Sequence, residues 1–259
     1  SVQQTSDGGY IGAGYTWSYG ADGSADFWLV KVDPDGDLQW SKTFGGASSS
    51  DKAYSVQQTT DGGYIVAGNT TPYGTFCSDL WLVKVDPDGN LQWEETLGRD
   101  GGAYSVQQTS DGGYIVAGDK SSYGAGDSDL WLVKVDPDGN HQWVKAFGGA
   151  EDDWAYSVQQ TADEGYIVAG STRSYGAGDF DFWLVKVDPK GNLEWSNTFG
   201  GTYGEWAHSV QQTSDGGYIV AGETCSYGDG SVDIYIIKLK PVSYTHLRAH
   251  ETRHDLVCR

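Results

Sequence analysis

The stretch VDPDGNLQW at residues 85–93 has the composition of a cation-binding loop, because two aspartates and an asparagine stand close together. It is not unique in the chain. Closely similar stretches read VDPDGDLQW at 32–40, VDPDGNHQW at 135–143 and VDPKGNLEW at 187–195. A pattern that returns at a nearly constant interval indicates a repeated structural module before it indicates a site.

The module extends far beyond these nine residues. The pentapeptide SVQQT begins at residues 1, 55, 105, 157 and 209, and each copy continues through a variant of DGGYIVAG, a Ser/Tyr/Gly-rich loop and WLVKVDP. Four copies continue through GNLQW-like and TFGG-like elements. We therefore interpret residues 1–241 as one domain of five repeats of about 50–54 residues.

Each repeat predicts four short strands, named a to d. In the second repeat they are Tyr54–Thr59, Gly63–Gly68, Leu80–Asp86 and Leu91–Leu97. Asp61-Gly62-Gly63 predicts a tight turn between a and b, and Pro87-Asp88-Gly89-Asn90 predicts one between c and d. VDPDGNLQW is thus predicted to be a β-hairpin.

A four-stranded antiparallel unit repeated at this period is typical of a propeller blade. The predicted fold is an all-β propeller of five four-stranded blades, in which the last blade lacks strand d. Both a closed ring and an arc of a larger propeller fit the sequence.

The elements WLVKVDP, GNLQW, TFGG and GGYIVAG resemble the β-propeller repeats of secreted and cell-surface proteins of bacteria and archaea, known as SBBP-type repeats. The resemblance covers about residues 1–240. It implies a surface or adhesion module, which we expect to lie outside the cell or on its surface, as part of a larger multidomain protein. The spacing of Asp86, Gly89 and Trp93 also resembles the tryptophan-docking motif of quinoprotein propellers, where the Trp locks blades together.

Residues 242–259, VSYTHLRAHETRHDLVCR, break the repeat register and differ sharply from it in composition. They are similar to a translated sequencing-adapter read-through, and we interpret them as a non-native tail. Three histidines there have helical metal-site spacing, His246, His250 and His254, but we do not expect a metal site.

The bulk composition excludes several partners. The formal net charge of −20 at pH 7 disfavours nucleic acid and anionic membrane surfaces. No apolar run reaches the roughly 18 residues of a membrane span. The three cysteines, Cys77, Cys225 and Cys258, form no metal-binding or disulfide pattern, and no cofactor is expected.

Two sets of tryptophans recur at fixed module positions, and we interpret them as blade-packing residues. The first set is Trp28, Trp81, Trp131 and Trp183, with Tyr235 in the fifth repeat, and the second is Trp40, Trp93, Trp143 and Trp195. The repeated lysines are expected to pair with a nearby Asp. His208 and His141 stand where other repeats carry Tyr and Leu, and are interpreted as variation at structural positions.

Function is predicted on one face of the disc. The a–b and c–d turns are nearly constant among repeats, whereas the b–c and d–a loops vary, so the latter predict a binding face for protein or glycan. The candidate ligand-binding residues are Trp17, Tyr19, Tyr73, Trp154, Arg173, Tyr175, Trp206 and Tyr227. The alternative for the Ser-Tyr-Gly tyrosines is that each packs over its own loop.

Catalysis has less support than binding. No catalytic residues are assigned, but a polysaccharide hydrolase or lyase that uses loop carboxylates remains the alternative, with Asp152, Asp153 and Glu205 as candidates. The VDPDGN turn lacks the acidic residue twelve positions on that a calcium loop requires. Weak Ca²⁺ binding is expected only at acidic loops such as Glu151-Asp152-Asp153.

Overall fold

The computed structural model of the protein describes residues 1–19, 23–47, 49–72, 77–98, 100–121, 127–228 and 231–241. All regular secondary structure in these ranges is β, with 19 strands in five antiparallel sheets. The predicted all-β fold of repeated blades is therefore confirmed, including a fifth sheet of three strands.

Each sheet is one repeat, and its strands lie in chain order. Blade 1 contains β1 (Val2–Gln4), β2 (Tyr10–Thr16), β3 (Asp26–Val32) and β4 (Leu38–Phe44). Blade 2 contains β5 (Ser49–Gln58), β6 (Tyr64–Pro72), β7 (Asp79–Val85) and β8 (Leu91–Leu97). Blade 3 contains β9 (Gly101–Gln108), β10 (Tyr114–Lys120), β11 (Asp129–Val135) and β12 (His141–Phe147). Blade 4 contains β13 (Asp153–Gln160), β14 (Tyr166–Thr172), β15 (Asp181–Val187) and β16 (Leu193–Phe199), and blade 5 contains β17 (Glu205–Gln212), β18 (Tyr218–Thr224) and β19 (Asp233–Leu239).

The hydrophobic core lies between successive blades. Strand c is apolar on both faces, and every residue of β11 and of β15 is buried, because each sheet is packed between two others. At the junction of blades 4 and 5, Phe182 and Leu184 of one sheet contact Val210 and Val220 of the next. Each of the other three junctions has an equivalent cluster.

Strand a is the innermost strand of every blade. The a strands of all five blades surround one cavity of about 250 Å³, lined by valines and glutamines at equivalent positions. The glutamines join neighbouring blades: Gln107 Oε1 accepts the backbone N–H of Gln160 at 2.6 Å, and Gln160 Oε1 accepts that of Ser110 at 2.8 Å. The repeated Gln pair thus joins neighbouring blades in both directions through side chain-to-backbone hydrogen bonds.

The VDPDGNLQW hairpin also joins blades. Trp40 of blade 1 donates its indole N–H to Pro87 O at 3.2 Å, and its ring lies over Gly89. Gly89 has a φ of 76°, and a methyl group added to it would lie 2.9 Å from the Trp40 ring. The same contact joins Trp93 to Pro137 and Trp143 to Pro189. The turn is therefore the receptor for the tryptophan of the preceding blade.

The repeated lysines pair with an aspartate of their own blade, and those of blades 1 to 4 are buried. Lys84 is 2% exposed and its Nζ lies 2.9 Å from Asp61 Oδ2, on the a–b turn of its own blade. It also donates to Val85 O and Gln92 Oε1. The other pairs are Lys31–Asp7, Lys134–Asp111, Lys186–Asp163 and Lys238–Asp215. These ion pairs anchor the a–b turn to strand c.

Blade 5 differs from the others on one face. Ile234 and Ile236 of β19 are 83% and 54% exposed. The equivalent residues of blade 4, Phe182 and Leu184, are fully buried. Among the described residues, no sheet covers this face of blade 5.

Candidate binding face

The b–c and d–a loops meet at the blade junctions on one side of the disc, called here the variable face. A backbone hydrogen bond between neighbouring blades fixes each junction there. The acceptor is the backbone carbonyl of the residue that immediately precedes strand c of one blade. The donor is the backbone N–H of a residue at or near the start of strand a of the next blade. The bonds are Asp51 N to Ala25 O, Gly101 N to Ser78 O, Asp153 N to Ser128 O and Glu205 N to Phe180 O, at 2.5, 2.7, 2.7 and 2.7 Å.

Near this end of strand a, a β-bulge inserts one unpaired aromatic residue in each of blades 2 to 5. The four residues are Tyr54, Tyr104, Tyr156 and His208. Their ring centroids are separated by 5.5, 5.7 and 5.4 Å in that order. They form a continuous band along the innermost strands, called here the aromatic arc. Tyr54 and His208 are exposed, and the two rings between them are half-buried.

Strand b supplies polar partners behind the arc. Tyr104 lies beside Asp119, and burial raises the pKa of both groups, so the tyrosine stays protonated. Tyr54 lies near Asn69. His208 Nε2 lies 3.5 Å from Glu223 Oε1. The arc thus presents ring faces together with carboxylate and amide groups.

A cavity of about 260 Å³ opens between blades 2 and 3 beside the arc, and Tyr104 and Asp119 line it together with Asn69 and Asp100. Gly101 and Gly102 explain its position, since they stand where the other junctions carry Asp51-Lys52, Asp153-Trp154 and Glu205-Trp206. Two missing side chains leave the space open. Asp119 Oδ1 is buried and has no hydrogen-bond partner among the described residues.

The predicted ligand-binding residues fall into two groups, of which the first presents aromatic surface. Trp17 and Tyr19 are 57% and 70% exposed on the b–c loop of blade 1. Trp154 and Trp206 are half-buried and both contact Phe180, with ring centroids 4.8 and 5.8 Å away.

Arg173 is exposed and lies over the same Phe180 ring, with its guanidinium carbon 5.1 Å from the ring centroid. Its Nε pairs with Asp179 Oδ1 at 3.1 Å. Arg173, Trp154 and Trp206 therefore form one cluster between blades 4 and 5.

The second group fastens loops. Tyr175 donates its hydroxyl to Gly148 O at 2.6 Å, and Tyr227 donates to Gly200 O at 2.8 Å. Each tyrosine joins its b–c loop to the preceding d–a loop. Tyr73 lies outside the described residues, as does the 242–259 tail with its three histidines.

The loop carboxylates considered for catalysis are mostly inaccessible. Asp153 and Glu205 have no exposed surface, because strand a begins at each of them inside a blade junction. Burial and the neighbouring Asp127 raise the pKa of Asp152, which stands one residue outside the strand. In this arrangement, Asp153 and Glu205 cannot contact a polysaccharide.

Instead, Asp153 and Glu205 each face a second buried carboxylate. Asp129 stands beside Asp153, and burial together with the Asp153 charge raises the pKa of Asp129. Asp181 stands beside Glu205, and burial, followed by the Glu205 charge, raises the pKa of Asp181 to about 6. These pairs are structural features of the junctions rather than parts of the aromatic arc.

Sequence reasoning missed the aromatic arc and the adjacent cavity. Tyr54, Tyr104 and Tyr156 were not singled out as ligands, and His208 was interpreted as structural variation. The arc could have been recognised from the sequence, because one repeat position is aromatic in four repeats. The cavity could have been recognised from the two consecutive glycines at 101–102.

The described residues contain no helix that is both long and apolar enough to cross a membrane. Within the same residues, no group of three or more His, Cys, Asp or Glu side chains is arranged to hold a metal ion. Cys77 and Cys225 form no disulfide among the described residues.

Comparisons with known proteins bear on the fold alone. No family model matches the chain, and no curated protein matches it. Among solved structures, a protein of unknown function from Bacteroides caccae is similar to it with a TM-score of 0.50 and 14% identity, over 82% of this chain and 65% of that one. A candidate exo-β-1,3-galactanase from Bifidobacterium bifidum s17 has a TM-score of 0.47 and 14% identity, over 94% of this chain and 87% of that one. A puromycin hydrolase has a TM-score of 0.49 and 14% identity, over 85% of this chain and 35% of that one. The chain spans less than two thirds of the length of the first of these proteins.

Proposed function

We propose that the protein is a non-catalytic binding module of an extracellular or cell-surface protein, and that it binds carbohydrate on its variable face. The observation that carries this proposal is the aromatic arc beside the cavity between blades 2 and 3. The SBBP-type repeat resemblance supports the location. Glycan is favoured over protein because the arc combines ring faces with carboxylate and amide groups.

The chemistry of the arc suits a sugar. An aromatic ring presents a flat apolar face against which the C–H face of a pyranose packs. The Asp119 carboxylate and the Asn69 side chain at the cavity can hydrogen-bond to hydroxyl groups. Asp119 Oδ1 has the unused acceptor capacity that such a contact requires. Stacking would supply affinity, and the polar groups would supply orientation.

The size and charge of the site narrow the ligand class. At about 260 Å³ the cavity lies just below the range of roughly 300–1,000 Å³ that accommodates drug-sized ligands. We therefore expect one sugar unit in the cavity and its neighbours along the arc. Asp100 and Asp119 line the cavity, and the chain carries a formal charge of −20, so a neutral oligosaccharide is favoured over a sulfated or uronic one.

A neutral-glycan array with the full chain, followed by calorimetry on the best ligand, tests the proposal. We expect Tyr104→Ala to weaken binding at least about tenfold, since a hot-spot aromatic is worth roughly 2 kcal/mol. Asp119→Asn should weaken it less, because the amide retains one acceptor. The control is Tyr10→Ala, which removes an aromatic that is 39% exposed in blade 1 and lies outside the arc.

A hydrolysis screen on the same glycans decides between binding and the alternative hydrolase. Turnover that is lost in Asp152→Asn would overturn the non-catalytic assignment. Binding that is unchanged in Tyr104→Ala would remove the arc from the site. Absence of glycan binding, together with Tyr104-dependent capture of a purified surface protein, would replace carbohydrate with protein as the ligand.

A further inference from the structure

Three blade junctions bury two carboxylates each at the variable face. The first is the initial residue of strand c of one blade, and the second lies at or near the start of strand a of the next blade. The pairs are Asp26 with Asp51, Asp129 with Asp153, and Asp181 with Glu205. All six residues are at most 4% exposed. Two like charges held together away from water require a counter-charge or a proton.

The Asp129–Asp153 pair is the best-defined of the three. A methyl group added to Gly148 would lie 1.9 Å from Asp129 Oδ1 and 2.8 Å from Asp153 Oδ2, so the two carboxylates lie close together against the same side of Gly148. Asp153 Oδ2 accepts hydrogen bonds from Gly149 N and Ser174 Oγ. Asp129 Oδ2 and Asp153 Oδ1 are fully buried and have no hydrogen-bond partner among the described residues.

The junction of blades 2 and 3 gives an internal comparison. There Asp79 begins strand c, but Gly101 replaces the second carboxylate, and Lys120 replaces the threonine that lies opposite it on strand b. The Lys120 ammonium lies 4.9 Å from the Trp131 ring centroid and interacts with the charge of Asp79. Where the second carboxylate is missing, a buried cation therefore occupies the same corner of the junction.

We propose that a calcium ion occupies the Asp129–Asp153 site, and that equivalent ions occupy the other two paired-carboxylate junctions. Oxygen-only donors match a hard cation. The side chains supply two carboxylates and the described residues supply no third acidic, His or Cys ligand. Backbone carbonyls and water would complete the shell, which Ca²⁺ accepts more readily than the strictly octahedral Mg²⁺.

This proposal differs from both the loop expectation and the binding site. The proposed site lies outside the Glu151-Asp152 segment, because its two carboxylates belong to buried residues on β11 and β13. The proposal is also independent of carbohydrate binding, since no arc residue takes part. With two protein carboxylates we expect the weak affinity of extracellular calcium modules, on the order of 0.1–1 mM.

Thermal unfolding of the full chain in about 10 mM CaCl₂ tests the proposal, with MgCl₂ as the comparison. We expect Ca²⁺ to raise Tm by about 3–10 °C for each occupied junction and Mg²⁺ to raise it less. In the double variant Asp129→Asn/Asp153→Asn, the increase in Tm on adding Ca²⁺ should be smaller by the contribution of one junction. Without Ca²⁺, this variant should melt above the unmodified protein, because two buried like charges are gone.

The matched control is Asp35→Asn/Asp88→Asn, which removes two negative charges from exposed c–d turns on the opposite face. It should retain the full Ca²⁺ effect, which excludes general screening of the acidic surface. The proposal is overturned if Ca²⁺ raises Tm no more than Mg²⁺ does, or if the Asp129/Asp153 variant keeps the whole increase. If the double variant does not fold, Asp129→Asn alone gives the same comparison.

Discussion

Glu164 adopts a left-handed backbone conformation, which is unfavourable for a residue with a Cβ atom. It has a φ of 67° in the a–b turn of blade 4, where the other four repeats place Gly8, Gly62, Gly112 and Gly216 at φ between 80° and 85°. A left-handed conformation costs a residue with a Cβ roughly 1 kcal/mol, whereas glycine adopts it readily. The sequence already showed the exception, as ADEG at 162–165 against DGG elsewhere.

We therefore predict that Glu164→Gly stabilises the protein by about 1 kcal/mol. The backbone carbonyl at 164, which accepts from Gln160 Nε2, is retained. Urea unfolding measures the change in the free energy of unfolding. The reverse variant Gly112→Glu should lose about the same amount, and a loss of stability in Glu164→Gly would contradict the assigned strain.

The tryptophan contact makes a second prediction at the residue scale. Gly89→Ala adds a methyl group at a φ of 76° and 2.9 Å from the Trp40 ring. Gly36→Ala makes the same change at a φ of 89° in blade 1, where no atom of the described residues lies within 4 Å of the new methyl. The backbone strain is shared, so the difference between them isolates the blade contact.

We expect Gly36→Ala to cost about 1 kcal/mol and Gly89→Ala about 1–3 kcal/mol more. Chemical denaturation of the two variants measures both values. Equal losses would mean that Trp40 moves aside without cost, and that docking contributes little to blade adhesion.

Among the elements, the a–b turn is one whose contribution to stability depends on pH. Burial opposes the ionisation of Asp61, yet hydrogen bonds from Thr59, Lys84 and Gly63 lower its pKa from 3.8 to about 2. A carboxyl with a depressed pKa in the folded protein stabilises the fold above the unfolded pKa, and that contribution is lost as pH falls from about 4 towards 2.

We predict that Asp61→Asn destabilises the protein at pH 7 and flattens the pH dependence of stability between about pH 4 and 2. Asp61 is half-exposed, so solvent screening reduces the effect below that of a buried ion pair. Urea titrations at successive pH values give the profile. Asp88→Asn, on the exposed c–d turn, is the charge-matched control, and an unchanged profile in Asp61→Asn would contradict the assignment.

The strands and turns could be predicted from the sequence, because local residue patterns and turn residues encode them. The strands, both hairpin turns and the repeated blade follow from short runs of β-branched and aromatic residues and from the Gly, Pro and Asp between them. The aromatic arc did not follow, because a bulge adds one unpaired residue and redirects its side chain. Nothing local marks Tyr104 as a bulge residue, and only the assembled blades bring it within 5.7 Å of Tyr156.

The paired carboxylates are a further case of information that appears only after assembly. Asp129 and Asp153 lie on different strands of different blades, and the chain between them carries other acidic residues, Asp136, Asp138, Glu151 and Asp152. The sequence shows several acidic residues in this region but not which of them become buried. The inter-blade hydrogen bond from Asp153 N to Ser128 O holds Asp153 beside the buried Asp129.

At the scale of the whole molecule, the contribution of a core side chain to stability depends on whether another blade packs against its own blade. Leu184 in blade 4 is fully buried against blade 5. Ile236 occupies the same module position in blade 5 and is 54% exposed. The two side chains contain the same number of carbon atoms, so their comparison tests the blade arrangement itself.

We predict that Leu184→Ala costs about 2–5 kcal/mol, because it leaves a cavity between two packed sheets, whereas Ile236→Ala costs less than about 1 kcal/mol. Chemical denaturation at low protein concentration measures both values. If Ile236→Ala costs as much as Leu184→Ala, its face is covered in solution by blade 1 or by another chain. Dependence of that cost on protein concentration would then identify another chain, since closure of the ring by blade 1 is intramolecular.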